Sequence, residues 1–275
     1  MECKLNHLTM YYEEYGEGIP ILMLHGYYPD HRLMAGCMEP IFTKRLGYRR
    51  IYVDLPGMGR TAASESVFNS DTMLQTVLAF IERVIPEEQF LVAGESYGGY
   101  LTRGIVAKLK PRVDGALFLC PMIIADHKKR DLPKQTVLAR DAVFFASLDE
   151  ADEGFEEMTV VQNRYTWERY QREIQPGIRL VNAQYLEQIR QTGYAFLFDL
   201  DAEEGNFDKP SLFLTARQDT STGYRDVYSI LEHYPRATFA VLDRAGHNLQ
   251  IEQPILFGAL TEEWLDRVEE ARRQA

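Results

Sequence analysis

The segment Gly94-Glu95-Ser96-Tyr97-Gly98-Gly99 sets one serine among three glycines, directly after the apolar run 90–93 and before a helical pattern. Small residues on both sides of a serine suit a sharp strand-to-helix turn, because bulky neighbours would clash where strand and helix cross. Such a turn lifts the hydroxyl beside the first amides of the helix, where negative charge is favoured. A serine attacks only when a base takes its proton, and the base works only when a carboxylate orients it. His247, in "LDRAGHNLQIEQP", follows an apolar run and precedes the last helical pattern; His7, His127 and His233 are less aptly placed. Asp219, in "LFLTARQDTSTGY", follows the run 211–215, where Thr220 or Ser221 could equally serve as a helix cap. Asp126, after the run 116–120, is a rival acid, and Asp219 has the better flanking pattern. These residues point to attack by Ser96 on a carbonyl carbon. The oxygen that gains charge needs donors, and the loop in "ILMLHGYYPD" offers one: the backbone N–H groups of Tyr27 and Tyr97 are the candidate oxyanion hole.

Elements that could hold this set are legible in the pattern. Apolar runs at 19–24, 50–55, 90–93, 116–120, 211–215 and 238–242 are mostly continuous, as in parallel strands covered on both faces. Between them, Leu74, Val77, Leu78, Ile81 and Ile85 form a helical stripe that Pro86 stops, and Leu101, Ile105 and Leu109 form another. A tail helix after Pro254 carries Leu256, Ala259, Leu260 and Val268, with Trp264 expected near the edge of its stripe. The segment "HLTMYYEEYGEG" alternates and predicts an antiparallel edge. Together these predict an α/β fold with a mostly parallel, doubly wound sheet. Residues 124–209 break the rhythm: they lack a clear continuous strand and carry many charges and aromatics, Phe144, Tyr165, Trp167, Tyr170, Tyr185 and Tyr194 among them. They read as a helical insertion, leaving 1–123 and 210–275 as the core domain. As a lid it would wall an apolar pocket; each aromatic alone is explained by the lid's own core.

Composition bounds the partners. With 45% hydrophobic and 26% charged residues a packed core is expected. A net charge of −11, from 41 acidic and 30 basic residues, argues against nucleic acid and anionic membranes as main partners. Cys3, Cys37 and Cys120 are dispersed and form no C-x-x-C pair, which favours a reducing cytoplasm and offers no cysteine-based metal site. "MECKLNHLTM" has no signal-peptide character, and the longest apolar run, 115–125, contains Pro121 and is too short for a bilayer. "GMGRTA", at 57–62, formally matches a dinucleotide turn, but no convincing helix follows and no strand ends in an acid at the right distance. Arg164, Arg169 and Arg172 could meet a substrate carboxylate; interleaved with Glu168 and Glu173, they read instead as a solvated, salt-bridged helix face.

With "HGYYPD", "DLPGMGRT", "GESYGG", "ARQD" and "GHNLQIEQP" in this order, the chain resembles the α/β-hydrolase fold superfamily, in its small capped serine-hydrolase form. The resemblance covers nearly everything outside 124–209. It implies a sheet of about eight strands with a helical cap after the sixth, and a triad of Ser96 as nucleophile, His247 as base and Asp219 as acid. It further implies that His25 braces the oxyanion loop. A serine nucleophile argues against the dehalogenase and epoxide hydrolase branches, which use aspartate. The expected activity is hydrolysis of a small carboxylic ester or a lactone, on a small-molecule substrate and without metal or cofactor. The same triad serves carbon–carbon bond hydrolases, aminopeptidases and menaquinone-pathway lyases, and some relatives act as ligand sensors with little turnover.

Overall fold

The computed structural model describes residues 1–148, 152–201 and 205–274. Among them, β1 (Glu2–Lys4), β2 (Thr9–Tyr15), β3 (Ile19–Leu24), β4 (Tyr48–Val53), β5 (Phe90–Glu95) and β6 (Val113–Leu119) precede a short pair, β7 (Ala139–Arg140) and β8 (Val161–Gln162). Then come β9 (Ser211–Ala216) and β10 (Ala237–Leu242). Eight strands join in one sheet in the order β1-β2-β4-β3-β5-β6-β9-β10. β1 and β2 form the antiparallel edge that the alternating N-terminal pattern predicts, and every pairing from β4 to β10 is parallel.

Continuous apolar strands follow from having a core on each face. Leu22, Leu24, Val92 and Phe118 point to one core, where α2 (Ser70–Val84) and α3 (Tyr97–Leu109) supply Val77, Ile81, Leu101 and Ile105. Ile21, Met23, Leu91 and Leu117 point to the other, against α1 (Arg32–Phe42) and the tail helix α10 (Pro254–Gln274). Helix α2 starts where Asn69 accepts from the Thr72 N–H at 2.8 Å and Thr72 Oγ1 accepts from the Asn69 N–H at 3.1 Å, a reciprocal cap.

Trp264 departs from expectation. It is fully buried in the second core rather than at the stripe's edge, and its Nε1–H donates to the Pro210 carbonyl at 2.9 Å. The indole thus joins the tail helix to the residue before β9. Trp264→Ala is expected to lower unfolding stability by about 3–5 kcal/mol, from lost burial and the cavity left behind. Denaturant titration, read at its midpoint with the slope held common, checks this.

Among the described residues between β6 and β9 lie five short α-helices: α4 (Ala142–Ala146), α5 (Glu153–Met158), α6 (Arg164–Glu173), α7 (Gln175–Leu180) and α8 (Ala183–Thr192). Positions 149–151 and 202–204 of the expected insertion lie outside the described residues. Helix α8 meets loops that follow core strands: Tyr27 Oη donates to the Leu186 carbonyl at 2.7 Å, and the Asn182 N–H donates to the Gly57 carbonyl at 2.9 Å. Helix α6 packs on α1. There Arg169 and Glu173 are buried and paired at 2.7 Å, with Arg169 Nη2 donating to the Gly36 carbonyl at 3.2 Å. A side chain at position 36 would meet the Glu173 carboxyl at 2.4 Å, so Gly36 permits the approach. The expected solvated face is therefore half right: Arg164 and Glu168 stay exposed at 3.7 Å, while the Arg169–Glu173 pair has turned inward against α1. Among the described residues no helix is long and apolar enough to cross a membrane.

Candidate active site

Strand β5 turns into α3 through Ser96, whose φ of 55° and ψ of −114° are strained for any residue with a side chain. The turn leaves no room for larger neighbours. A Cβ on Gly94 would lie 2.2 Å from the Gly98 carbonyl oxygen, and one on Gly98 would lie 2.3 Å from the Leu24 carbonyl oxygen. Three backbone bonds hold the strained residue: its N–H donates to the Leu119 carbonyl at 2.9 Å, and its carbonyl accepts from Tyr100 at 3.1 Å and Met122 at 3.0 Å. The glycine pattern seen in the sequence is thus the steric signature of a sharp, strained strand-to-helix turn.

Asp219 and His247 meet beside it. Asp219, on the loop after β9, is fully buried and anchored by three donors: the N–H groups of Ser221 at 2.8 Å and Thr222 at 3.0 Å, and the Thr222 hydroxyl at 2.7 Å. Its Oδ2 lies 2.9 Å from Nδ1 of His247, which stands on the loop between β10 and the short helix α9 (Leu249–Glu252). Burial raises the Asp219 pKa, but the His247 charge and these donors outweigh it and leave the carboxyl below its ordinary value. Asp126 is elsewhere engaged: it accepts from the Lys128 N–H at 3.1 Å and stands 3.7 Å from the Lys129 ammonium. Among the described residues the backbone N–H groups of Tyr27 and Tyr97 have no protein acceptor, and the two rings pack edge to face at 4.9 Å. Ser96, His247, Tyr27 and Tyr28 line one cavity of about 1040 Å³.

One charged neighbour escapes the spacing argument. Glu95, the residue before the serine, is buried, and its Oε1 lies 3.2 Å from His247 Nε2. No hydrogen bond joins Ser96 Oγ to that ring, so the nitrogen that should accept the serine's proton faces a carboxyl instead. Glu95 fits only because residue 26 is glycine; a Cβ there would sit 2.1 Å from Glu95 Oε2. The sequence signal is an acid closing an otherwise apolar, fully buried strand. Burial pushes the Glu95 carboxyl up to about 7, with the Asp219 charge adding to the rise and His247 opposing it. Burial alone would depress the imidazole, but Asp219 and Glu95 outweigh it and hold His247 up to about 9.

That electrostatics has a testable sign. Only neutral imidazole can accept a proton, so a raised pKa starves the site of base at neutral pH. Activity should then climb about tenfold per pH unit toward the upper apparent pKa of the Glu95–His247 pair. Glu95→Gln removes one stabilising charge, lowers the His247 pKa and moves the rising limb of kcat/KM to lower pH. The expected gain is several-fold near pH 7, vanishing above pH about 9. An unmoved pH profile would show that Glu95 does not act on His247.

Other polar groups brace this frame. His25 is buried, and its Nε2 accepts from the Leu55 N–H at 3.0 Å while Nδ1 stands 2.7 Å from the Gly26 carbonyl, tying the loop after β3 to the loop after β4. Burial lowers its pKa, which suits the neutral ring these bonds require. Glu252, also missed in the sequence, accepts from the N–H groups of Gly246, Val160 and Val161 at 2.6–2.8 Å, fixing the residue before His247. Two groups have the spacing of metal ligands: Cys120 with Asp219 and His247, and Asp30 with His31 and Asp54. Asp219 and Asp54 already accept several protein N–H and O–H donors, and the first group contains the Asp219–His247 pair. The "GMGRTA" loop wraps the Asp54 carboxylate, which accepts from the Arg60 N–H at 2.8 Å.

Comparison with known proteins agrees with this frame. Residues 19–254 match the α/β hydrolase fold family. The crystal structure of an α/β superfamily hydrolase from Oenococcus oeni PSU-1 superposes with a TM-score of 0.87 at 30% identity, covering 98% of this chain and 99% of that one. The AB hydrolase superfamily protein YisY of Bacillus subtilis (strain 168) is 32% identical over 102 residues, a match spanning only 37% of each chain. The 2-hydroxy-6-oxo-6-(2'-aminophenyl)hexa-2,4-dienoic acid hydrolase of Metapseudomonas resinovorans is 22% identical over 96% of this chain and 90% of its own length. Sheet order, elbow and matched span lead to one assignment: the chain belongs to the α/β-hydrolase fold family.

Proposed function

We propose that this protein is a serine hydrolase acting on a small carboxylic ester or a lactone. The observation that carries the reading is the 2.9 Å contact of Asp219 with His247 beside a strained serine that lines a large cavity. In this reading His247 swings its Nε2 from Glu95 to Ser96 and takes the hydroxyl proton as Oγ attacks the carbonyl carbon. The Tyr27 and Tyr97 N–H groups receive the oxyanion. The imidazolium then protonates the departing alkoxide, leaving an acyl-enzyme. Water, deprotonated by the same ring, attacks the acyl carbon, and Ser96 regains its proton as the acid departs. Asp219 holds Nδ1–H throughout and stays ionised.

Residues 124–209 act as the lid in this account, joined to the core through Tyr27, Gly57 and Gly36. Buried, unpaired Cys3, Cys37 and Cys120 suit a reducing cytoplasm. A carbon–carbon bond hydrolase is the second reading, favoured by the full-length likeness to the Metapseudomonas enzyme. Intact mass after exposure to a fluorophosphonate is the first test. One adduct, absent from Ser96→Ala, supports an activated serine; no adduct overturns the reading. A panel of esters, lactones and a vinylogous diketone then separates the two chemistries.

A further inference from the structure

Two guanidinium groups line the cavity that Ser96 opens onto, Arg130 and Arg190, and among the described residues neither pairs with a carboxylate. Arg130 is held by backbone carbonyls alone: Nε donates to Ile124 at 2.7 Å, Nη1 to Ser221 at 2.7 Å and Nη2 to Ala125 at 3.0 Å. Three of its five N–H groups are thereby used, which orients the planar fork and leaves two donors without a protein acceptor. Its carbonyl partner Ser221 is two residues past the triad acid, so the fork is fixed to the same loop as Asp219. Among the described residues Arg190, on α8, has one side-chain hydrogen-bond partner, the Tyr28 hydroxyl at 3.5 Å. Tyr28 itself takes a φ of 89°, a strained conformation for an aromatic residue, in the loop of the candidate oxyanion hole.

A half-buried cation with no carboxylate in direct contact is costly. Burial drives the Arg130 pKa down and the Arg190 charge adds to the effect; together they outweigh the Asp219 and Asp226 charges, which act on Arg130 without pairing with it. A bound anion would relieve both, and a planar carboxylate matches a guanidinium fork in shape and charge.

Resting on the serine-hydrolase reading, we infer that the preferred substrate carries a free carboxylate remote from its scissile carbonyl, seated between Arg130 and Arg190 while Ser96 attacks. The charge layout then divides the cavity. Glu95 and His247 attend the reacting carbonyl, and the arginines, Arg130 tied to the loop of Asp219 and Arg190 on α8, hold the substrate's carboxylate. Such binding is worth most when it aligns the carbonyl for attack.

The experiment compares 4-nitrophenyl hydrogen adipate with its neutral methyl-capped analogue. In the parent the anionic ester should have the higher kcat/KM, by about tenfold at low salt, with the preference shrinking as salt rises. Arg190→Gln should cut that ratio at least several-fold. Arg130→Lys, which keeps the charge but loses the fork, should cut it further. A parent ratio near one, or a ratio that neither variant moves, overturns the inference. Calorimetric titration of Ser96→Ala with the same two esters reads binding without turnover. Tighter binding of the anion, weakened when Arg190→Gln is added, supports the site. Equal binding of both esters overturns it. Should the parent hydrolyse neither ester while the binding difference persists, the hydrolase reading falls and the anion site stands.

Discussion

Ser96→Ala is expected to abolish ester turnover, a loss on the order of 10⁶-fold in kcat, while the thermal midpoint stays within about 4 °C of the parent. The separation of the two effects follows from what the side chain does in the fold. Ser96 is anchored through its backbone N–H and carbonyl, and alanine keeps both. Its φ of 55° strains alanine about as much as serine, since each carries one Cβ. No hydrogen bond of the hydroxyl is lost, so folding gives up almost nothing. Chemistry gives up its nucleophile. What remains is binding and the oxyanion donors, which alone sustain about 10³–10⁴-fold over water in related chemistry. A collapse of the folded state on this substitution would mean the glycine-flanked turn is structural and Ser96 its cap. Near-parent turnover would mean that some other residue attacks.

The difference between what the chain shows by itself and what needs the fold has a physical pattern. The elbow is legible because its requirement is local: Gly94 and Gly98 are forced by backbone atoms a few residues away or across one strand. The strands are legible because a sheet with two cores demands continuous apolar runs, and the expected run 50–55 errs only at its ends. Observed β4 is Tyr48–Val53, and Asp54 is already a loop carboxylate that accepts from His31 and Arg60. Failures occur where a long-range contact decides. Arg169 and Glu173 have the spacing of a solvated pair, and only the packing of α6 over Gly36 buries them. Trp264 sits off the apolar stripe by angle, yet the Pro210 carbonyl gives its N–H a partner and lets the indole turn inward. Glu95 occupies a position that elbow geometry leaves free, so its effect on His247 arises from a loop that is distant in sequence. The arginines facing Ser96 are likewise 60 residues apart and meet only through the cavity.

Asp219→Asn should lower kcat/KM by about 10⁴-fold, and Asp126→Asn should leave it within a few-fold. The carboxylate accepts on all sides: two N–H groups at Oδ1, and a hydroxyl plus the imidazole Nδ1–H at Oδ2. An asparagine keeps its oxygen toward the two backbone donors and must place its NH₂ against Nδ1. That amide can only donate, so the ring moves its proton to Nε2. In most triads the misplaced proton would then point at the serine. Here Glu95 Oε1 lies 3.2 Å from Nε2 and is ready to accept it, which stabilises the unproductive tautomer further. The two positions are therefore coupled. Adding Glu95→Gln to Asp219→Asn should recover part of the lost rate, whereas independent sites would give simply multiplied effects. Multiplied losses would separate Glu95 from the imidazole's tautomer, and a parent-like Asp219→Asn would remove Asp219 from the mechanism altogether.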